Sequence, residues 1–428
     1  MKYLFLKRMT ISIPIVLLAI MGCSQKLEKV EYAEEWTPVP ITPEQYQKAV
    51  EIIQRRAHQI AEVKWQALNP VPHKSGFFSE KTTYKGIPYS SVKELDKFVG
   101  HEVSFYTFLT AVQNPRSVLY SENVSQPPYK GINCATYYGT VCSMAVNYVL
   151  GLDAPYISEM YLQLPFMEKI ELQDPYGIKI GDILRNDYYG HVVMVEEIVY
   201  SEDGSISAVR ILESIGTITR IREYSLDAFV NRWEEDAWVA FRYLDFGRII
   251  RQEEIPFLSS TAEENYSVTY SSSICTSRGD KACYREGEPV IINFLAASSG
   301  EVDLYRDEKF HSHLSSGTAD LTLSNLPYGK YKVVSESGDM TLFEVLETAV
   351  TATRDSNGIQ ISFNSANGIP GSILICKESG GRRYIHTMSV SERQLGRVTL
   401  EPLAGDMYIK VFFRGDYGRV SNDPILIL

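Results

Sequence analysis

Tyr138-Gly139-Thr140-Val141-Cys142-Ser143-Met144-Ala145-Val146-Asn147-Tyr148-Val149-Leu150 is the stretch that decides how this chain reads. A cysteine opens a helix there. Further on, Gly181-Asp182-Ile183-Leu184 leads to Gly190-His191-Val192-Val193-Met194-Val195, where a histidine opens a strand. A thiol at a helix N-terminus feels the positive end of the dipole, which favours the thiolate. An imidazole beside it completes a nucleophile–base pair. Cysteine-dependent amide hydrolysis is therefore the leading expectation.

The chain has 428 residues, room for two to four domains with cores of their own. Its formal net charge is −11, and it carries no dense Lys/Arg tract, which argues against nucleic acid as a partner. Lys2, Lys7 and Arg8 precede an apolar run from Ile11 to Met21, a pattern of signal-peptide length and too short for a comfortable membrane span. Ile20-Met21-Gly22-Cys23 resembles the bacterial lipobox. That resemblance implies a lipoprotein signal peptide over 1–22, lipidation of Cys23 and a stable membrane anchor. An ordinary signal peptide with a coincidental cysteine is the alternative. Ser24 resembles the residue of lipoproteins sent to the outer membrane, so the expected location is the cell envelope, on the periplasmic or surface face of that membrane.

Cys275 and Cys283 are spaced to staple a hairpin in an oxidising compartment, and Cys376 reads as a small core hydrophobe. Cys134 is the rival nucleophile, or a disulfide partner that would silence Cys142. CxxC pairs and His/Cys clusters at zinc spacing are absent from the sequence, so neither a metal nor another cofactor is expected.

Residues 23–40 read as a tether. A helix follows, with Thr42 as N-cap, Pro43 in the first turn, Gln45 completing a capping box, and helical spacing carried on to Trp65. Residues 92–120 hold shorter helical patterns interrupted at Asn114-Pro115. From 181 to 243 the period changes to that of strands. These signals predict an α+β domain over 41–250. Beyond it come only strands and turns, which predict two all-β sandwich modules over 251–348 and 349–428. Leu326-Pro327-Tyr328-Gly329-Lys330-Tyr331 resembles the late strands of immunoglobulin-like bacterial modules.

The tract around Cys142 resembles the Cys-Ser helix start of the NlpC family of papain-like cell-wall peptidases, with Ser143 beside the nucleophile as a substrate-binding candidate. Lys85-Gly86-Ile87-Pro88-Tyr89-Ser90 is similar to that family's Gly-x-Pro-Tyr tract, whose tyrosine lines the active site. Here 142 − 89 = 53 residues separate the two, which requires an insertion. The histidine segment resembles both that family and the related CHAP amidases. Glu213, 213 − 191 = 22 residues beyond the histidine, looks like the CHAP-type third member that orients the imidazole. The resemblance covers about residues 80–245. It implies a papain-like fold, catalytic Cys142, His191 and Glu213, substrate contact at Tyr89 and Ser143, and the peptide part of peptidoglycan as substrate. A duller role stands beside each: Cys142 a core residue, His191 a strand-end histidine, Glu213 a surface carboxylate, Tyr89 part of the core. A non-catalytic envelope lipoprotein using this fold for binding or scaffolding is the competing function. Arg278-Gly279-Asp280 spells an adhesion tripeptide, and His311 and His313 alternate on a strand; chance and a solvated strand edge are the simpler readings.

Overall fold

The computed structural model describes residues 37–428 except 38, 74, 92–96, 125, 127–134, 153–160, 162–163, 172–176, 187–189, 236–237, 253–267, 296–299, 357, 364–368, 380–381, 390–396, 401–406, 424 and 428. The leader, Cys23, most of the tether and Cys134 lie outside the described residues.

Helix α1 (Pro43–Glu62) starts as its sequence specifies: the Thr42 side chain accepts from Gln45 N–H, and the Gln45 side chain answers to the Thr42 N–H. The helix stops earlier than its apolar spacing suggests. Val63 turns extended, and Trp65 sits in the short strand β1 (Lys64–Gln66). Trp65 finds more there than a further helical turn offers. Its indole N–H donates to the Gly86 carbonyl at 2.9 Å, and its ring packs on Phe78, Tyr84 and Phe108. Short ladders follow, with β2 (Val71–His73) pairing β3 (Gly76–Phe78), and β4 (Thr83–Lys85) pairing β1. Helices α2 (Phe105–Val112), α3 (Val118–Ser121) and α4 (Cys142–Val149) come next.

The next segment supplies six strands: β5 (Met167–Ile170), β6 (Ile183–Asn186), β7 (His191–Tyr200), β8 (Ile206–Ile215), β9 (Ile218–Ser225) and β10 (Trp238–Tyr243). Helix α5 (Leu226–Glu235) precedes β10, and α6 (Phe246–Gln252) follows it. The sheet is antiparallel in the order β5-β10-β6-β7-β8-β9. Its side chains alternate between two cores. Ile183, Val192, Met194 and Leu212 join α1 and α4 in one. Leu184, Val193, Val195, Ile211 and Trp238 join Phe229 of α5 in the other.

Beyond residue 268 the described structure is all β. Strands β11 (Ile274–Thr276), β13 (Val290–Phe294) and β16 (Asp320–Leu323) form one sheet. The facing sheet has the order β12-β18-β17-β14-β15, from β12 (Ala282–Arg285), β14 (Glu301–Arg306), β15 (Lys309–Ser315), β17 (Gly329–Ser335) and β18 (Met340–Leu346). One core, including Ile292, Leu304, Tyr331 and Phe343, lies between the two, which makes a sandwich. A second pair of sheets follows. The first is β19 (Val350–Asp355), β20 (Gly358–Phe363) and β23 (Arg397–Leu400). The second is β21 (Ile369–Ser379), β22 (Arg382–Ser389), β24 (Met407–Arg414), β25 (Arg419–Ser421) and β26 (Ile425–Ile427).

Cys275 and Cys283 are free thiols, not a staple, because they belong to different sheets: Cys275 pairs with Asn293 and Cys283 with Glu344. The Arg278-Gly279-Asp280 tripeptide is no surface motif either. Arg278 is ion-paired to Glu288. Buried Asp280 accepts from Leu342 N–H at 2.6 Å, the Thr341 hydroxyl at 2.9 Å and the Tyr106 hydroxyl at 3.0 Å. A Cβ on Gly279 would lie 2.2 Å from the Thr107 carbonyl oxygen. The tripeptide therefore cements the first sandwich to α2. His313 is committed to Asp303 at 2.9 Å on the exposed strand β15.

The hairpin between β24 and β25 wedges against the α+β part as well. Arg419, 4% exposed, donates to His101 Nε2 at 3.0 Å, and His101 Nδ1 lies 3.0 Å from buried Glu102. The Glu102 carbonyl accepts the Arg419 N–H. Removing one member of such a buried charged group leaves the others uncompensated. Arg419→Ala is expected to cost about 3 kcal/mol of unfolding free energy, read as a lower urea midpoint. A midpoint matching wild type would show that the cluster adds nothing.

Candidate functional site

The Tyr89 tract is threaded between two elements by backbone hydrogen bonds. On one side the Thr219 N–H donates to the Ile87 carbonyl, and the Tyr89 N–H to the Thr217 carbonyl, both at 2.8 Å. On the other side Thr140 N–H donates to Pro88 at 2.9 Å, and Ser90 N–H to Thr140 at 3.0 Å. Two glycines make this approach possible. Gly86 has φ +93° and no space for a Cβ, which would lie 2.0 Å from the Thr219 carbonyl oxygen. A Cβ on Gly139 would come within 2.8 Å of the Pro88 carbonyl oxygen. The 53 residues between Tyr89 and Cys142 are thus bridged, and partly buried Tyr89 lies beside the segment that feeds α4.

Cys142 is the first residue of α4, partly buried and in no disulfide among the described residues. The N-cap, Val141, has no side-chain acceptor to offer the first-turn N–H groups. The positive end of the helix is therefore left to whatever anion lies there, including a thiolate. Ser143 is buried, and its carbonyl receives the Tyr161 hydroxyl at 3.0 Å.

His191 opens β7 opposite Asn186 of β6, which in turn pairs with Trp238 of β10. Residues in register share a face, so the imidazole and the indole project together; their rings meet edge-on at 6.1 Å. Burial is the main reason the imidazole is held at about 4, against partial opposition from the Glu213 charge. It is neutral at pH 7, and its Nε2 is buried without a hydrogen-bond partner among the described residues.

Glu213 is on the same face but belongs to arginines. Arg220 holds its Oε1 at 2.7 Å, and Arg232 of α5 stands 3.9 Å from Oε2. No hydrogen bond joins Glu213 to His191 among the described residues. Sequence reasoning missed both arginines, although the signal was present: a turn at Gly216-Thr217 sets Ile215 opposite Ile218 and hence Glu213 opposite Arg220. It also missed buried Lys97, whose ammonium donates to Ser90 and Thr136.

The threaded tract sets Cys142 and Tyr89 at the end of the sheet where β8 finishes and β7 begins, and this is also the end that carries His191. The faces differ. Helix α4 packs with Val192 and Met194, whereas His191 and Glu213 project from the face that carries α5. No hydrogen bond links the Cys142 thiol to the His191 ring among the described residues. The expected Cys142–His191–Glu213 constellation is therefore brought to one sheet end without being closed.

No family model matches the chain, and no curated protein matches it. Among solved structures it is similar to the fibronectin(III)-like modules of Clostridium thermocellum CbhA, at 12% identity over 36% of this chain and 91% of that one, with a TM-score of 0.19. The CD2-binding domain of CD58 matches at 10% identity over 33% and 94%, also with a TM-score of 0.19. A cytokine receptor complex matches at 10% identity over 36% and 94%, with a TM-score of 0.23. At such scores these likenesses carry no argument about function. Among the described residues no helix is long and apolar enough to cross a membrane.

The buried neutral imidazole has a consequence for stability. The unfolded chain takes up a proton near pH 6.5, the folded one only near 4, so acidification across that window favours unfolding. Stability is fully present above about 6.5 and should fall by up to about 3 kcal/mol by pH 4. Urea titrations at several pH values check this, and His191→Gln should flatten that part of the profile.

Proposed function

We propose that this chain is a cell-envelope cysteine hydrolase of papain-like, NlpC/CHAP type, cleaving an amide bond in the peptide part of peptidoglycan. It would be held to the membrane through lipidated Cys23, and the two sandwiches would be immunoglobulin-like modules spacing the hydrolytic domain. The observation that carries this reading is the threading of the Tyr89 tract. It brings that tract beside a cysteine at a helix start with no side-chain cap, at the sheet end where a neutral histidine begins its strand.

In the proposed reaction, His191 accepts the thiol proton, and the Cys142 sulfur attacks the substrate carbonyl. The Cys142 N–H and the Tyr89 hydroxyl stabilise the oxyanion. His191 returns the proton to the leaving amine as the C–N bond breaks. Water then cleaves the thioester, leaving a carboxylic acid and the free thiol. Substrate would lie across the end of the sheet, between the start of α4 and the start of β7.

The second reading, a non-catalytic envelope lipoprotein that binds or scaffolds, is favoured by specific observations. Helix α4, which carries Cys142, packs on one face of the sheet while His191 projects from the other, and Glu213 is engaged by two arginines. Digestion of purified peptidoglycan by the full chain and by Cys142→Ala separates the two. The hydrolase reading expects new muropeptides with wild type and none with the variant. It expects His191→Ala to lower the rate by at least about 100-fold. Identical muropeptide profiles would leave the binding protein.

A further inference from the structure

Lys97 is fully buried, a position that a lysine almost never occupies unless its charge is paired or hydrogen-bonded. Its Nζ donates to the Ser90 hydroxyl oxygen and to the Thr136 carbonyl, both at 2.9 Å. The Ser90 hydroxyl donates to that same carbonyl at 2.8 Å and accepts the Thr136 N–H at 3.2 Å and the Ala135 N–H at 3.4 Å. The Ser90 N–H reaches on to Thr140 at 3.0 Å. One buried amino group and one buried hydroxyl thus gather residues 135–140, the segment that runs straight into Cys142, onto the tract that carries Tyr89.

From this clamp we infer that Lys97 and Ser90 are positioning residues for Cys142: they set the thiol at the tip of α4 and hold Tyr89 beside it. The inference rests on the reading of Cys142 as the nucleophile. Neither residue is suited to be a nucleophile or base itself. Ser90 Oγ is buried and surrounded by hydrogen-bond partners, and Lys97 is donating to acceptors. Their effect is exerted through geometry. The clamp keeps the first-turn N–H groups of α4 aimed at one place, where the helix tip polarises the thiol. A purely structural role would affect folding alone. A positioning role also changes how readily the sulfur reacts.

The test uses the full chain as wild type, Lys97→Met and Ser90→Ala, with thermal unfolding followed by circular dichroism to establish that each variant folds. Alkylation of Cys142 by iodoacetamide at pH 7 is timed by peptide mass spectrometry. Lys97→Met is expected to slow alkylation about tenfold, the equivalent of one pKa unit in thiolate population. Ser90→Ala is expected to slow it about threefold, equivalent to about half a pKa unit, and to lower kcat for peptidoglycan with KM unchanged. If Lys97→Met does not fold, Ser90→Ala, which deletes only a hydroxyl, decides the matter. A folded Ser90→Ala that alkylates at the wild-type rate overturns the clamp. Absence of hydrolysis by wild type would instead sink the hydrolase reading, while the alkylation comparison would still judge the clamp.

Discussion

The arrangement around Cys142 depends on one backbone contact, the laying of residues 86–90 between the β8–β9 turn and the segment leading to α4. Four hydrogen bonds to the flanking chains hold it, and two glycines admit it, Gly86 against Thr219 and Gly139 against Pro88. Most of these bonds join buried residues, where an unmade one is costly. The contact fixes where Tyr89 lies, where α4 begins and which end of the sheet both face. The 53-residue insertion then matters little, because its ends are pinned by pairing rather than by chain length.

Polar groups buried at the junctions between the parts of the chain serve a similar purpose. Asp280 ties the first sandwich to α2, and Arg419 with His101 and Glu102 ties the β24–β25 hairpin to the α+β part. Buried carboxylates and guanidinium groups tolerate only one set of partners, so such contacts fix orientation more than they add stability. This explains why an apparent adhesion tripeptide is internal: all three of its residues are used by neighbours.

Much of this was legible along the chain. The Thr42–Gln45 capping box, the helix beginning at Cys142 and the strands from Ile183 to Tyr243 follow local rules of capping and period. Trp65 shows where such rules stop, since its spacing fits a helix while its indole partner and aromatic neighbours lie on other segments. Glu213 shows the same limit in charge. Its distance from His191 suits an orienting carboxylate, yet the strand pairing delivers Arg220 and the helix α5 delivers Arg232.

The sequence by itself determined the kinds of element, their order, and the presence of a thiol at a helix start and an imidazole at a strand start, because capping, period and dipole act within a few residues. Only the tertiary structure decided which face of the sheet each side chain leaves from, which carboxylate is already engaged, and that Lys97 is buried beneath Thr136. Those outcomes depend on register and on packing between segments far apart in the chain, and one residue of register is enough to move a side chain from one face to the other.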